Sequence, residues 1–252
     1  MSTAPEFAGV RAVVTGGASG IGAATAALLR ENGAAVSCLD VRPEGTPEGC
    51  HAVPCDVADA ASTAAAVERA AADLGGIDVV VNNAGVGATG TIEGSDDDVF
   101  RRLHEVNVLG TVRVTRAALP YLRRSEHAAV VNTCSVAATV GLPQRAAYSA
   151  SKGAVLALTL AMAADHLRDG VRVCAVAPGT ADTPWVQRLL DAEPDPEAAR
   201  TALENRQPTG RLVPPEEVAR AICALASPLA TSSTGTVTTL DGGLTNLRLP
   251  AS

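Results

Sequence analysis

Short runs of consecutive apolar residues alternate along the chain with longer stretches in which apolar positions recur every three or four residues. Val10–Thr15, Ala35–Leu39, His51–Pro54, Ile77–Val81, Ala129–Thr133, Val171–Ala177 and Thr236–Leu240 make up the first set. Several are apolar without a break, the pattern of strands buried on both faces of a parallel sheet. Between them, Gly20–Asn32, Ala58–Leu74, Asp96–Leu122, Tyr148–Arg168 and Pro215–Ala226 read as helices. Such alternation means βαβ units. It predicts an α/β chain, one doubly wound domain over residues 1–252, with a seven-stranded, mainly parallel sheet and helices on both faces. Only Thr180–Val213, rich in Pro, Arg and Glu, interrupts the rhythm. Ligands of open α/β sheets bind beyond the carboxyl ends of the strands, so this segment is placed to cover a substrate.

The first strand runs through Thr15-Gly16-Gly17-Ala18-Ser19-Gly20-Ile21-Gly22 straight into a helix. Glycines there permit a tight turn and let a pyrophosphate approach the positive helix end. Asp40 closes the second strand, where a carboxylate binds ribose hydroxyls and repels a 2′-phosphate. Together these predict a dinucleotide-binding Rossmann sheet that prefers NAD. Arg42 is the one nearby residue that argues for NADP.

Composition narrows the function classes. The 252 residues carry 20 basic and 27 acidic side chains, a net charge of −7, and only 2% are aromatic. Nucleic-acid binding needs a basic face and stacking platforms, so it is not expected. Ala154–Ala164 is too short for a bilayer span of ~20 residues. Met1–Gly9 does not read as a signal segment. A cytoplasmic protein with no membrane partner is therefore expected. The six cysteines (Cys38, Cys50, Cys55, Cys134, Cys174, Cys223) are scattered through apolar runs and read as reduced core residues. Cys50, His51 and Cys55 lack a second ligand pair, so no metal is expected.

Nineteen of the 20 basic residues are Arg, and Lys152 is the single Lys. A compact ammonium does what a planar guanidinium cannot. Tyr148, one of two tyrosines, stands four residues before it, which places phenol and ammonium on one helix face. A free phenol titrates near ~10 and is a poor base at neutral pH, and a neighbouring cation favours its ionised form.

With these motifs in order, the chain resembles the short-chain dehydrogenase/reductase family from Val10 to Gly243. The resemblance rests on the glycine loop, Asp56-Val57, Asn82-Asn83-Ala84-Gly85, Asn107, Ser135, Tyr148-x-x-x-Lys152, and Pro178-Gly179 followed by Thr183. It implies that Tyr148 exchanges the substrate's hydroxyl proton and that Lys152 holds the nicotinamide ribose. Ser135 hydrogen-bonds the substrate oxygen, and Asn107 anchors a water leading to Lys152. For the cofactor it implies Gly16, Ser19, Gly20, Ile21 and Gly22 at the pyrophosphate, Asp40 at the ribose, and Asp56 and Val57 beside the adenine. Asn83, Ala84 and Gly85 would line the dinucleotide, with Pro178, Gly179 and Thr183 on its nicotinamide side.

The substrate side is read from arginines, because their forked donors suit carboxylates. Gln144 and Arg145 precede Tyr148, while Trp185, Arg188 and Arg206 belong to the covering segment. These stretches resemble a subgroup that includes type 2 3-hydroxybutyrate and 2-keto-3-deoxy-L-fuconate dehydrogenases. The expected substrate is a small hydroxy acid or sugar acid, with Arg145 and Arg206 on its carboxylate. Alternatives are a 3-oxoacyl thioester reductase, a neutral sugar or alcohol dehydrogenase, and a non-catalytic dinucleotide-binding regulator. The Tyr148–Arg168 helix is apolar all round, which asks for a second subunit over its outer face. The resemblance implies a homotetramer.

Overall fold

The structure is a computed structural model that describes residues 5–248; residues 1–4 of the expected opening segment lie outside it. Seven strands form one sheet: β1 (Arg11–Thr15), β2 (Ala35–Asp40), β3 (His51–Pro54), β4 (Val79–Asn82), β5 (Ala129–Thr133), β6 (Arg172–Pro178) and β7 (Val237–Leu240). Their order is β3-β2-β1-β4-β5-β6-β7, and every adjacent pair is parallel. The order reverses between β1 and β4, which opens a crevice at their carboxyl ends.

Strand alternation divides the apolar runs between two layers. Val14, Val36, Val79, Val81 and Val131 pack with α1 (Gly20–Glu31) and α8 (Pro215–Ala226). Val13, Val80, Val130 and Val173 pack with α2 (Ala60–Leu74) and α4 (Gly110–Leu122). Uninterrupted apolar strands are what this double covering requires.

The helix expected over Asp96–Leu122 forms, capped by Asp96 and helical without a break from Asp97 to Leu122, but it is not uniformly α-helical. After α3 (Asp97–Leu103) the chain makes a wider π-type turn, His104–Leu109, before α4. Such an insertion shifts the helix face while keeping the chain helical, so a reading of helix against strand does not single it out. Asn107 is buried within that turn.

The next helix, α5, runs Ala146–His166. Its 21 residues have the length and composition of a membrane span, beyond what the Ala154–Ala164 stretch suggested. It lies on the sheet instead, with Lys152, Val155, Thr159 and Met162 buried. Thr159 Oγ1 accepts from Asn132 Nδ2 at 2.9 Å, and Asn132 Oδ1 accepts from Asn82 Nδ2 at 2.9 Å. This buried polar chain ties α5 to β5 and β4. Ala150, Ala157, Leu160, Ala161 and Ala164 face outward. The segment expected as a cover contains α6 (Pro184–Asp191) and α7 (Pro196–Asn205).

At the opposite, amino edge of the sheet, Asp78 joins β1 to the start of β4. It accepts from Arg11 N at 2.8 Å, from Arg11 Nε and Nη2 at 2.7 Å, and from Ser125 Oγ at 2.6 Å. Burial disfavours its charge, but the bonds from Arg11 and Ser125 outweigh burial and hold the carboxyl below its ordinary range. A carboxyl depressed in the fold contributes fully above its unfolded value of ~3.9 and loses that contribution as pH falls through the folded value. Asp78→Asn is expected to lower stability by about 2 kcal/mol at pH 7. The difference should shrink below about pH 4, as denaturant melts at pH 7 and pH 3 will read. A gap independent of pH would mean that Asp78 acts by shape alone.

Candidate active site

The carboxyl edge of the sheet opens into a cleft of about 620 Å³, within the range of small-molecule sites. Its floor begins at the glycine loop. Gly16 and Gly20 hold φ of +61° and +53°, a left-handed conformation that favours glycine. A Cβ on Gly22 would lie 2.0 Å from the Gly16 carbonyl oxygen, so α1 and the loop can meet only without one. Ser19 precedes α1 and makes no side-chain cap, which leaves the first-turn N–H groups to a ligand.

Thr15 fastens this loop to β4. Its Oγ1 accepts from Asn83 N and Ala84 N, both at 3.0 Å, while Asn83 Nδ2 donates to the Thr15 and Gly16 carbonyls at 3.1 and 3.3 Å. At the end of β2, Asp40 accepts from Ala18 N at 3.2 Å and Arg42 N at 3.0 Å. Its carboxylate thus bridges the glycine loop and the turn after β2.

From α5, Lys152 reaches under the sheet edge. It is buried, its Nζ donates to the Thr133 carbonyl at 2.8 Å, and it lies 5.9 Å from the centre of the Tyr148 ring. Asn107 Nδ2 donates to the Val86 carbonyl at 2.9 Å and to Ser151 Oγ at 3.0 Å, and Oδ1 accepts from Val86 N at 2.8 Å. Both amide protons are engaged, so a water at this side chain has only the remaining Oδ1 lone pair. Ser151 Oγ in turn donates to the Tyr148 carbonyl at 2.8 Å. A Cβ at Gly85 would lie 3.2 Å from Asn107 Oδ1 and 3.6 Å from Lys152 Nζ, so both converge on that backbone. Ser135, after β5, has its Oγ 3.2 Å from Ala137 N and opens on the same cleft.

The residues expected from sequence mostly meet here. Gly16, Ser19, Gly20, Ile21, Asp40, Asp56, Val57, Asn83, Ala84, Gly85, Ser135, Tyr148, Lys152, Pro178, Gly179 and Thr183 all line the cleft, as do Arg145, Trp185, Arg188 and Arg206. Gly22 and Asn107 sit beneath it as supports. Gln144 does not line it; this exposed residue holds a φ of +54°, and its carbonyl accepts from Gly90 N at 3.0 Å. A left-handed non-glycine turn directs its side chain away while its backbone secures the loop beside Arg145.

Three contributors escaped the sequence reading. Arg102 of α3 lines the cleft, but nothing local distinguishes it from Arg101. Gly87 leaves room for an aromatic ring: a Cβ there would lie 2.7 Å from the Trp185 ring and 3.6 Å from Tyr148 Cδ2. Gln207, 1% exposed, donates through Nε2 to the Arg211 carbonyl at 2.6 Å and the Thr180 carbonyl at 3.4 Å, joining the two ends of the covering segment. Glutamine is ordinarily a surface residue, so no pattern marks this one.

The family model described as enoyl-(acyl carrier protein) reductase matches residues 16–245. A cis-4-hydroxycyclohexanecarboxylate dehydrogenase of Sinomonas cyclohexanicum is 42% identical over 250 residues, covering 95% of this chain and 98% of the relative. This chain belongs to the short-chain dehydrogenase/reductase family. A 2-(S)-hydroxypropyl-CoM dehydrogenase 3 of Xanthobacter autotrophicus is 38% identical, covering 92% and 95%. The ligand-free aldohexose dehydrogenase of Thermoplasma acidophilum superposes with a TM-score of 0.91 over 98% of both chains at 34% identity. The protein is accordingly an oxidoreductase of alcohol groups, and short-chain dehydrogenases use nicotinamide cofactors. The cleft fits that group, with a side-chain-free approach at Gly22, an uncapped helix start and a carboxylate at the end of β2.

Charge in the cleft runs against the charge of the molecule. Arg42, Arg102, Arg145, Arg188 and Arg206 line it, and none forms an ion pair among the described residues. Arg145 Nη1 donates to the Ala88 carbonyl at 3.2 Å. Burial, and then the like charge of Arg206, lower its pKa from the ordinary guanidinium value.

Proposed function

We propose that this enzyme is a cytoplasmic, NAD-dependent dehydrogenase of small hydroxy acids with an apolar body, working as a homotetramer. The observation that carries the substrate reading is Arg145 and Arg206, two guanidinium groups that line the same cleft as Tyr148 and repel one another, with no ion pair to either among the described residues. A carboxylate between them relieves that repulsion. Leu142, Trp185, Leu189 and Leu203 line the same cleft and suit hydrocarbon better than the hydroxyls of a sugar acid. A relative's name points the same way, since a hydroxycyclohexanecarboxylate joins alcohol to carboxylate across an apolar ring.

Asp40 supports NAD, because its carboxylate lies where a 2′-phosphate would bring negative charge. Bound NAD supplies the hydride acceptor. The chain's own residues do the rest. Ser135 and the Tyr148 hydroxyl orient the substrate oxygen, and Tyr148 takes its proton. Lys152, anchored on Thr133, keeps a positive charge beside the phenol, and Asn107 holds the Val86 loop and Ser151 in place behind both. A second copy covers the outward apolar side of α5.

The test is the rate of NADH formation on matched hydroxy acids and neutral alcohols, with NAD and NADP in parallel, for the natural chain and Arg145→Met. Acids with NAD are expected to dominate. The substitution should lower kcat/KM for acids about 10- to 100-fold, the size of lost charge-assisted hydrogen bonds, and leave neutral alcohols unchanged. Equal turnover of acids and alcohols, insensitive to Arg145, would refute the anion site while leaving the dehydrogenase intact.

A further inference from the structure

The covering segment is a small unit of its own. Val186, Leu190 and Leu212 are buried together with Ala199 and Leu203 packed on them, a cluster separate from the two layers on the sheet. An ion pair from Arg200 Nη2 to Asp182 Oδ2 at 2.7 Å is internal to the segment as well. The segment joins the body at a neck where its two ends run side by side. Ala181 and Val213 form a parallel bridge there, with Val213 N donating to the Thr180 carbonyl and Asp182 N to the Val213 carbonyl, both at 2.9 Å. On the body side, Gly179 N donates to the Leu240 carbonyl of β7 at 2.8 Å, and Arg211 Nη2 pairs with Glu217 Oε1 of α8 at 2.9 Å.

Gln207 fills the inside of this neck. Its Nε2 donates to both sides of it, to the Arg211 carbonyl at 2.6 Å and the Thr180 carbonyl at 3.4 Å. The reverse orientation would set the amide oxygen against two carbonyl oxygens, so the donor end is fixed. Oε1 turns instead to Gly179, where a Cβ would lie 2.2 Å from it. Gly179 does not hold a positive φ, so the room taken by this amide, rather than backbone conformation, is what a side chain there would violate. Oε1 is buried and accepts no hydrogen bond among the described residues. A buried unpaired oxygen is destabilising, and an apolar side chain of equal length would avoid it. Packing therefore does not account for the amide, whereas the two donor contacts do. Gln207 lies outside the cleft, but Gly179, Thr180 and its own neighbour Arg206 line it.

We infer that Gln207 is a positioning residue for the reaction in this cleft: through Thr180 and Arg211 it holds the neck together, and so keeps the wall carrying Trp185, Leu203 and Arg206 over the bound substrate. It touches neither the substrate nor the reacting atoms. Its effect runs through the fraction of molecules whose covering segment is in place, and apparent substrate affinity falls in proportion to that fraction. The proton step assigned to Tyr148 is set on α5, a different element. Loss of the clasp is therefore read in KM before kcat.

The experiment compares the natural chain with Gln207→Met, which keeps the length and removes both donors, and with Gln207→Asn, whose shorter amide does not span both carbonyls. Steady-state rates are taken on whichever hydroxy acid or neutral alcohol turns over fastest, so the outcome does not depend on the carboxylate reading. In both variants KM is expected to rise about tenfold, the worth of two neutral hydrogen bonds, with kcat within about threefold of the natural value. NADH fluorescence and thermal melts check that the dinucleotide site and the fold persist. Hydrogen exchange read by mass spectrometry should quicken in peptides over residues 180–183 and 207–213 of Gln207→Met, while peptides of β1 and α5 keep the natural rate. An unchanged KM in Gln207→Asn, or a loss confined to kcat, would reduce Gln207 to a packing residue and overturn the inference. Equal exchange at the neck in Gln207→Met and the natural chain would do the same, with no substrate involved.

Discussion

Tyr148→Phe is expected to lower kcat by about a thousandfold while leaving the fold and dinucleotide binding in place. The ring stays beside Gly87, so only the hydroxyl is lost. A positioned proton donor or acceptor contributes about 10² to 10⁴ in rate, and no neighbouring side chain is placed to replace this one. Lys152 donates to the Thr133 carbonyl and is held there as a charge, and Ser151 is turned to the Tyr148 carbonyl and Asn107. Steady-state rates on the best hydroxy acid read the effect, with NADH fluorescence and thermal melts as controls for binding and folding. A residual rate within tenfold of the natural chain would remove Tyr148 from the proton path and with it the assignment of Ser135 and Lys152 around it.

Gly22→Ala should damage cofactor binding more than its size suggests. The added carbon meets the Gly16 carbonyl oxygen at 2.0 Å and Asn83 Nδ2 at 2.6 Å. Neither is the free end of a flexible side chain. The carbonyl belongs to the loop itself, and the amide is held by the Thr15 and Gly16 carbonyls. Either α1 retreats from the loop or Gly16 rotates, and both open the cradle at the pyrophosphate position. Overpacking of this kind costs about 1–3 kcal/mol, or roughly 2–10 °C in Tm for a chain of this size. Dinucleotide affinity should fall at least about tenfold, because the displaced atoms are those that a phosphate approaches. The decisive reading is the rise in Tm on adding NAD, large for the natural chain and absent in the variant. An undiminished rise would place the pyrophosphate elsewhere.

Much of the molecule was legible in the chain because its signals are local. Uninterrupted Val and Ala runs declare strands covered on both faces, and all seven expected strands form. The glycine loop is a demand of the backbone on itself, so its meaning survives without tertiary context. Lys152, alone among nineteen arginines, stood out by rarity, and the fold buries it at the cleft.

Other features belong to the folded chain because they depend on which distant segments meet. The π-type turn at His104–Leu109 lies inside a stretch that still reads as helix, and it takes the fold to bring Asn107 against Val86 and Ser151. Gly87 has no meaning until Trp185 reaches it across nearly a hundred residues, and Gln207 looks like a surface amide until the ends of the covering segment close on it. Sequence by itself determined the strands, the glycine loop and the tyrosine–lysine pair, since each follows from neighbours along one element. Tertiary structure alone decided which arginines stand unpaired in the cleft, because a charge is set by what the fold brings near.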